Sequence, residues 1–358
     1  MGKYILAINP GSTSTKIAVY EDKRILFEKK IEHSAKELSK FQKITDQYEM
    51  RYKEIENILS ENEFKLQSLS GIVGRGGPVA PLESGAYIVN EIMVEKLMNA
   101  PMVDHASNLG GVIAYNLAKP LGIPAFIYDA VSTDQLTDIA RISGIKEVSR
   151  KSLVHALNMR AVGMRCAEKL EKNYNELNFI IAHLGGGITV AVHEKGRMTD
   201  LISDDEGPFS PERAGRVPCK DLVNMCYVYD KDTMKKKLRG QGGLISYLGS
   251  NSTIEIEERI RNGDKYAKLI YEAMAYQISK GICELTAVLK GKVDMIIITG
   301  GVAHSEMITN WIKERVRWIA PIEVTAGGDE LEALAHGALR VIRGEEKVHE
   351  FKNHESSD

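Results

Sequence analysis

The sequence has few cysteines and no long apolar run, and these two shortages exclude several classes of protein. Its four cysteines form no C-x-x-C pair, so neither a zinc site nor a redox pair is indicated. Reduced thiols in a cytosolic protein are the simpler expectation. No uncharged stretch approaches the ~20 apolar residues that span a bilayer. The chain opens on a short strand-like run instead of a signal peptide, and we therefore expect a cytoplasmic protein.

An excess of positive charge is also missing. Lys and Arg together number 47 and Asp and Glu number 49, which gives a net charge of -2. Nucleic acids and anionic membranes attract clustered positive charge, so neither is expected as a partner. The 358 residues exceed what one core usually organises, and the composition is that of an ordinary globular protein. Two domains are therefore expected.

Short apolar runs joined by turn residues open the chain, and the same pattern recurs in its middle. Such runs predict a meander of strands, and Asn9 and His183 occupy equivalent positions in the two copies. The repetition predicts a duplicated domain, with chance similarity of two hairpins as the alternative. The strands predicted in the two copies are 4–8, 17–20 and 25–27, and 179–183, 188–192 and 197–202.

The remainder of each half has an α/β pattern. Continuous apolar runs at 125–128 and 294–298 are typical of fully buried strands. Helical periodicity recurs at 35–63, 150–172, 264–289, 305–318 and 330–342. We expect an N-terminal domain at 1–150, with a C-terminal helix at 330–343 packing back on it, a C-terminal domain at 151–329, and a disordered polar tail at 345–358.

Three loops rich in glycine or hydroxyl residues follow predicted strands. A loop of this kind can turn backbone N–H groups inward and so form a concave anion site, although each one alone is also compatible with a polar turn. Three in order, two of them on a duplicated hairpin, favour a nucleotide held between related domains. The candidate nucleotide-binding residues are Asn9, Gly11, Ser12, Thr13, Ser14 and Lys16 in the first loop, His183, Gly185, Gly186 and Gly187 in the second, and Gly300, Gly301 and Val302 in the third.

These loops resemble the acetokinase (acetate kinase) family of the actin/Hsp70/hexokinase superfamily, and within it the butyrate kinases. The run N-P-G-S-T-S-T-K at 9–16 matches the family signature N-x-G-S-[ST]-S-x-K, and A-H-L-G-G-G at 182–187 is similar to its second phosphate loop. T-G-G at 299–301 is similar to its adenosine loop. Four further segments resemble butyrate kinase segments, namely 74–77, 105–108, 141–144 and 209–215.

The resemblance implies two duplicated domains of the ribonuclease H-like type with a nucleotide cleft between them. It also implies ATP or ADP and Mg²⁺ as cofactors, a short-chain carboxylate or acyl phosphate as the other substrate, and a homo-oligomer. The implied catalytic residues are Arg75, His105, Asp129, His155 and Arg213, and the implied metal ligands are Asn9 and Glu330. Glu332 has a structural explanation instead, because its spacing from Asp329 is that of a capping box.

The sequence departs from the acetate kinase pattern at two places. Arg75 stands where a histidine is expected, in a segment that lacks the family's preceding arginine. Met159 replaces the second histidine of the segment that contains His155, so that either His155 substitutes or the role is lost. Both departures favour butyrate kinase over acetate kinase.

The expected chemistry follows from the acceptor. A carboxylic acid with a pKa of ~4–5 is already ionised at neutral pH and needs no general base. It needs cations that offset the repulsion between two anions, and Arg75 and Arg213 are the candidates. Phosphorylation of butyrate, or of a similar short or branched acid, is the predicted reaction. The alternatives are an acetate or propionate kinase and a non-catalytic nucleotide-binding protein of the actin/Hsp70 type.

Overall fold

A computed structural model describes residues 2–99 and 103–352 of the chain. The chain divides into two compact units, the first formed by Met1–Asp134 with Asp329–Asp358 and the second by Gln135–Gly328. Within the described residues, no helix has both the length and the apolar character that crossing a membrane requires.

The first unit is built on a mixed sheet with strand order β12-β5-β6-β4-β1-β2-β3 among the described residues. Strands β1, β2 and β3 form an antiparallel meander, and β4 and β6 continue the sheet parallel to β1. Its strands are β1 (Tyr4–Pro10), β2 (Ser14–Glu21), β3 (Arg24–Glu32), β4 (Leu69–Arg75), β5 (Ala86–Ile88), β6 (Ala125–Tyr128) and β12 (Val348–Glu350).

The second unit has a sheet with strand order β11-β10-β7-β8-β9 in the described chain. Again three strands form an antiparallel meander, and two more run parallel to the first of them. Its strands are β7 (Asn178–Leu184), β8 (Ile188–Glu194), β9 (Arg197–Ile202), β10 (Met295–Gly300) and β11 (Ile322–Ala326). This order matches β6-β4-β1-β2-β3 of the first unit strand for strand, so the predicted duplication is confirmed.

Helices cover the sheets, and each unit has its own apolar core. In the first unit the helices are α1 (Ala35–Leu38), α2 (Tyr48–Glu61), α3 (Glu91–Asn99), α4 (Asn108–Ala118) and α13 (Glu330–Ile342). In the second they are α5 (Asp138–Arg141), α6 (Ala156–Lys169), α7 (Cys219–Val228), α8 (Lys231–Leu238), α9 (Gly243–Leu248), α10 (Thr253–Arg261), α11 (Lys265–Thr286) and α12 (Glu306–Val316).

Local sequence explains several of these boundaries. The side chains of Asp264, Ser305 and Asp329 accept hydrogen bonds from backbone N–H groups in the first turns of α11, α12 and α13, as helix N-caps do. Strand β1 lies between two neighbouring strands, and Ile5–Ile8 are fully buried. A continuous apolar run is therefore what this strand requires.

The domain boundary differs from the predicted one at residue 150. Gln135 accepts a hydrogen bond from the backbone N–H of Met198, and Arg150 bonds to Asp200 and Glu206. These contacts attach residues 135–150 to strand β9, so the division falls after Asp134.

The prediction of a disordered tail at 345–358 is wrong for residues 345–352. Strand β12 pairs in parallel with β5, and Phe351 is buried. The side chain of Asn90 donates to the carbonyl of Phe351 at 2.8 Å. A single apolar residue thus holds a segment whose composition is otherwise polar. Residues 353–358 lie outside the described residues.

Candidate active site

The first glycine loop is the tight turn between β1 and β2. Gly11 N–H donates to the carbonyl of Ser14 at 2.7 Å, and His33 N–H in the neighbouring strand connection donates to the carbonyl of Thr13 at 2.8 Å. Ser12 and Thr13 are exposed at the tip, as is Lys16 just inside β2. The carbonyls of Thr13 and Ser14 are therefore engaged by protein donors, whereas Ser12 and Thr13 are exposed to solvent.

Three of the predicted site residues meet at the end of this hairpin. The Asn9 side-chain amide donates to Glu330 Oε2 at 2.5 Å, and Arg75 Nη1 lies 3.7 Å from Glu330 Oε1. Glu330 reaches this point because it is the first residue of α13, which packs against β1 and β4. Arg75 Nη1 is buried and has no hydrogen-bond partner among the described residues. Such a donor suits an anionic ligand, because an unpaired buried donor is costly.

His105 belongs to the same group of charges. Burial lowers its pKa, and the nearby Arg75 charge lowers it further. The Ser107 N–H donates to His105 Nδ1 at 3.2 Å, so Nδ1 is the acceptor and the ring proton is on Nε2. A neutral imidazole at this position can donate one hydrogen bond without adding positive charge to that of Arg75.

Asp129 has a buried position at the end of β6. It is 1% exposed and its Oδ1 accepts from Gly85 N–H at 2.7 Å, while its own N–H donates to Gly85 O. Its φ of 41° is in the left-handed region, which an aspartate adopts more easily than most residues. These contacts are those of a residue that fixes a turn.

The second glycine loop joins β7 to β8 and has two stacked histidines beside it. The rings of His155 and His183 lie 4.0 Å apart between centroids, with planes inclined by 14°. His183 Nδ1 is 2.9 Å from Asn158 Oδ1, and His155 Nδ1 is 3.1 Å from Thr189 Oγ1. His183 Nε2 lies beside Gly185, where an added Cβ would meet it at 3.3 Å. His183 thus faces the loop through one nitrogen and is held through the other.

A polypeptide segment at 203–213 packs against this loop. Ser210 Oγ donates to the Gly186 carbonyl at 2.5 Å, and the Glu212 N–H donates to the same oxygen at 3.1 Å. A side chain at Gly187 would meet Asp204 Oδ2 at 2.7 Å. Only glycine fits there without displacing that carboxylate, which gives the third glycine of the loop a steric reason.

Arg213 is held next to the loop by Asp204. Its Nε lies 3.1 Å from Asp204 Oδ2, and the other oxygen of the same carboxylate accepts from Arg239 at 3.0 Å. Arg213 is therefore partly buried in an ion-pair network within the second unit. Arg239 also lies 3.3 Å from Asp205 Oδ1, so the network contains two arginines and two carboxylates.

The third glycine loop follows β10. Gly300 has a φ of 91°, and a Cβ there would meet the Leu184 carbonyl at 2.4 Å. Its N–H and carbonyl both pair with Gly327. Gly301 is exposed, with open space around its Cα, whereas the Val302 side chain is buried in the apolar core. Val302 can therefore contact a ligand only through its backbone.

The predicted metal ligands are compatible with magnesium. Mg²⁺ is usually bound by one or two carboxylates together with substrate phosphates and water. Glu330 supplies a part-exposed carboxylate, and the amide oxygen of Asn9 lies beside it. No cluster of three or more His, Cys, Asp or Glu suited to a metal occurs in residues 2–99 and 103–352. The protein therefore offers a partial oxygen shell of the kind that nucleotide phosphates complete.

The structure also brings to the glycine loops several residues that the sequence reasoning missed. Arg51 contacts the first loop, whereas Asn158 and Asp204 contact His183, Gly187 and Arg213 of the second unit. No sequence motif identifies these residues, because each lies in a segment distant in sequence from the loop that it contacts. A cavity of about 820 Å³ in the second unit is bounded by Asp204 and Arg239, but none of the predicted site residues lines it.

Solved structures similar to this chain define its class. Acetate kinase from Porphyromonas gingivalis matches with a TM-score of 0.77 and 18% identity, over 95% of this chain and 100% of that one. A propionate kinase from Francisella tularensis subsp. tularensis SCHU S4 matches with 0.75 and 18%, over 94% and 98%. Acetate kinase from Entamoeba histolytica matches with 0.75 and 16%, over 94% and 98%. The chain thus shares the α/β fold of these acetate and propionate kinases.

A protein-family model narrows this class. The model described as the acetokinase family matches residues 140–319, which is half of the chain. The chain therefore belongs to the acetokinase family, whose enzymes are phosphotransferases with a carboxyl group as acceptor.

Proposed function

We propose that this protein transfers the γ-phosphoryl group of ATP to a short-chain carboxylate, reversibly, and that butyrate is its acceptor. The observation that carries the proposal is the first glycine loop, a family-specific sequence folded so that exposed N–H and hydroxyl groups lie beside Asn9, Arg75 and Glu330. The arrangement offers phosphate ligands, a cation and a metal-binding carboxylate within one unit.

In the proposed reaction a carboxylate oxygen attacks the γ-phosphorus. The bond from that phosphorus to the oxygen bridging the β-phosphate breaks, and its electron pair leaves on ADP. No proton has to be removed, because the acid is ionised at neutral pH. The requirement is instead for positive charge and hydrogen-bond donors around the transferring group.

The chain supplies these groups from two sources. Arg75 has a buried donor without a hydrogen-bond partner in the described chain, and Arg213 is held beside Gly187 by Asp204. We propose that both guanidinium groups bind oxygens of the transferring phosphoryl group or the acid. His183 and the backbone of 185–187 contact phosphate oxygens, and Gly300 and Gly301 admit the adenosine. Binding of ATP between the two units and assembly into a homo-oligomer stay predictions.

Magnesium is proposed to be held by Glu330 and Asn9, and when bound it neutralises phosphate charge. The Asn9 side chain donates to Glu330 through its amide nitrogen, which leaves its amide oxygen available to a metal. The two side chains are close enough for one to orient the other.

The choice of butyrate is supported by the segments that resemble butyrate kinases, at 74–77, 105–108, 141–144 and 209–215. Acetate or propionate is the alternative acceptor, as the similar solved structures carry those names. A difference of one methylene contributes only about 1–3 kcal/mol of discrimination, so the preference has to be measured.

The deciding experiment traps the product with hydroxylamine. Purified protein is incubated with ATP, magnesium and each of acetate, propionate, butyrate, isobutyrate and valerate, and acyl hydroxamate is measured. We expect the highest kcat/KM with butyrate or isobutyrate. A maximum with acetate or propionate would reassign the acceptor, and ATP binding without hydroxamate from any acid would favour the non-catalytic alternative.

Replacement of Arg213 tests the proposed role of that residue. Arg213→Ala removes a cation from the transferring group but none of the first loop, so kcat should fall at least ~100-fold with little change in the Kd for ATP. Arg216→Ala is the matched control, since Arg216 is exposed and pairs with Glu284. Wild-type turnover by Arg213→Ala would remove Arg213 from the mechanism.

A further inference from the structure

An arginine is fully buried behind the first glycine loop. Arg51, on helix α2, is 0% exposed and is among the largest fully buried side chains of the described chain. Its Nη1 donates to Ser14 O at 3.1 Å and to Thr15 Oγ1 at 2.8 Å, and its Nη2 lies 3.4 Å from Ser12 O. Gln47, one turn earlier, accepts from Nε and Nη2 and fixes the plane of the guanidinium.

These bonds decide which way the loop faces. Arg51 donates hydrogen bonds to the carbonyls of Ser12 and Ser14, and the His33 N–H donates to the carbonyl of Thr13 between them. Three successive carbonyl oxygens are thus drawn to the protein side. In the described chain, the N–H groups of Ser12 and Thr13 donate to no protein acceptor, and both residues are exposed. Successive outward N–H groups form an anion-binding concavity.

The same arginine adds a buried positive charge. No carboxylate of the described residues forms an ion pair with Arg51, and Glu54 is the acidic residue whose charge acts on it. Burial lowers the pKa of Arg51 to about 10, so the group stays protonated at neutral pH. Burying a cation without a full partner costs free energy, and an anion bound on the other face of the loop would recover part of that cost.

We propose that Arg51 is the positioning residue of the phosphate loop. It holds the carbonyls of Ser12 and Ser14 away from the ligand, and its charge is compensated by the phosphate groups of ATP. The inference rests on the proposed function in that it assigns a nucleotide phosphate to this loop. It concerns binding and not transfer, so it can be tested in the absence of any acid.

The test measures Kd by calorimetric titration of ATP and of adenosine, which lacks phosphates, into wild type and Arg51→Lys. A single ammonium group cannot reach Gln47 and both loop carbonyls at once. We expect Arg51→Lys to bind ATP at least ~10-fold more weakly and adenosine unchanged. Arg340→Lys is the matched control, because Arg340 is a part-buried arginine of the same unit that bonds to Glu346 and Tyr128 instead of the loop.

Two results with a folded Arg51→Lys variant would count against the proposal. Folded Arg51→Lys that binds ATP as wild type does would overturn it, as would a parallel loss of adenosine binding, which marks general disorder. If Arg51→Lys does not fold, Gln47→Leu takes its place in the test. We expect the ATP affinity of Gln47→Leu to fall while its adenosine affinity stays constant. Wild type that binds no ATP would overturn this inference together with the proposed function, whereas ATP binding without acyl phosphate would reject only the latter.

Discussion

At the residue scale, the second unit contains a pair of stacked histidines. The ring centroids of His155 and His183 lie 4.0 Å apart. Asn158, which is buried, lies against His183 Nδ1, and its Oδ1 also accepts a hydrogen bond from Thr299 Oγ1 at 3.3 Å. The orientation of the His183 ring is thus fixed by a buried amide.

A third histidine of that unit makes stability depend on pH. His193 is fully buried against Tyr174, and burial lowers its pKa to about 3. The unfolded chain binds this proton near the ordinary pKa of about 6.5. The stability that depends on neutral His193 is therefore complete above that value and is lost as the pH falls towards 3.

His193→Gln should flatten this dependence. Glutamine does not titrate, so the loss of unfolding free energy between about pH 7 and about pH 5 should shrink by about 2 kcal/mol. Urea denaturation at the two pH values measures it. His304→Gln, at an exposed site, is the control for the loss of a histidine. If the unfolding free energy of His193→Gln depends on pH as that of wild type does, the explanation is rejected.

The sequence predicted the loop residues but not the residues behind them. Asn9, Arg75 and Glu330 came from motif resemblance, and the structure brings these three together. Arg51 lies on an amphipathic helix, where an arginine is ordinarily interpreted as solvent-exposed. Its burial depends on contacts with Ser12 and Ser14, which periodicity cannot reveal.

At the element scale, the first unit depends on the close approach of β4 and α4. An added Cβ on Gly74 would lie 2.0 Å from the carbonyl oxygen of Gly110. Since both partners are backbone, a rotamer change cannot relieve the contact. Arg75 follows directly in β4, so this packing also sets where its side chain begins.

Gly74→Ala should therefore destabilise the protein. Overpacking of this kind costs about 1–3 kcal/mol or more, and displacement of β4 should also lower kcat through Arg75. Chemical denaturation measures the first effect. Gly144→Ala is the control, because an added Cβ meets no described atom within 4 Å there. Equal stability of the two variants would contradict the close-packing argument.

Several elements with a buried face were predicted from the sequence, whereas β4 and α4, which are also largely buried, were not. Helix α13 and strands β6 and β9 begin and end as the sequence predicted to within a residue. Helix α7 was not predicted either, and none of its residues is buried. The predicted helix at 150–172 begins only at Ala156, and the side chain of Arg150 bonds to Asp200 of β9 instead.

At the scale of the whole molecule, the two units have sheets of matching strand order but are assembled differently from the chain. The second unit is one continuous stretch of chain, and the match to the family model, at residues 140–319, lies wholly within it. The first unit is assembled from residues before 135 and after 328. Its completeness therefore depends on α13 and β12.

Truncation after Gly344 tests that dependence. It removes β12 and the buried Phe351, and it takes Glu346 from Arg340 and Tyr128. We expect a loss of at least ~3 kcal/mol, comparable with removing one buried aromatic side chain. Phe351→Ala should account for much of that loss, and Lys352→Ala, an exposed neighbour, for none. Thermal unfolding at wild-type values in the truncated protein would contradict this account.

The split construction of the first unit has a consequence for biosynthesis. Residues 135–328 are synthesised as an uninterrupted segment with a core of their own. Strands β1–β6 are synthesised earlier, but their sheet is complete only when α13, which packs against β1 and β4, has been added. The second unit can thus complete its folding before the first unit does. The loop between β1 and β2 acquires its neighbour Glu330 only after the whole of the second unit has been translated.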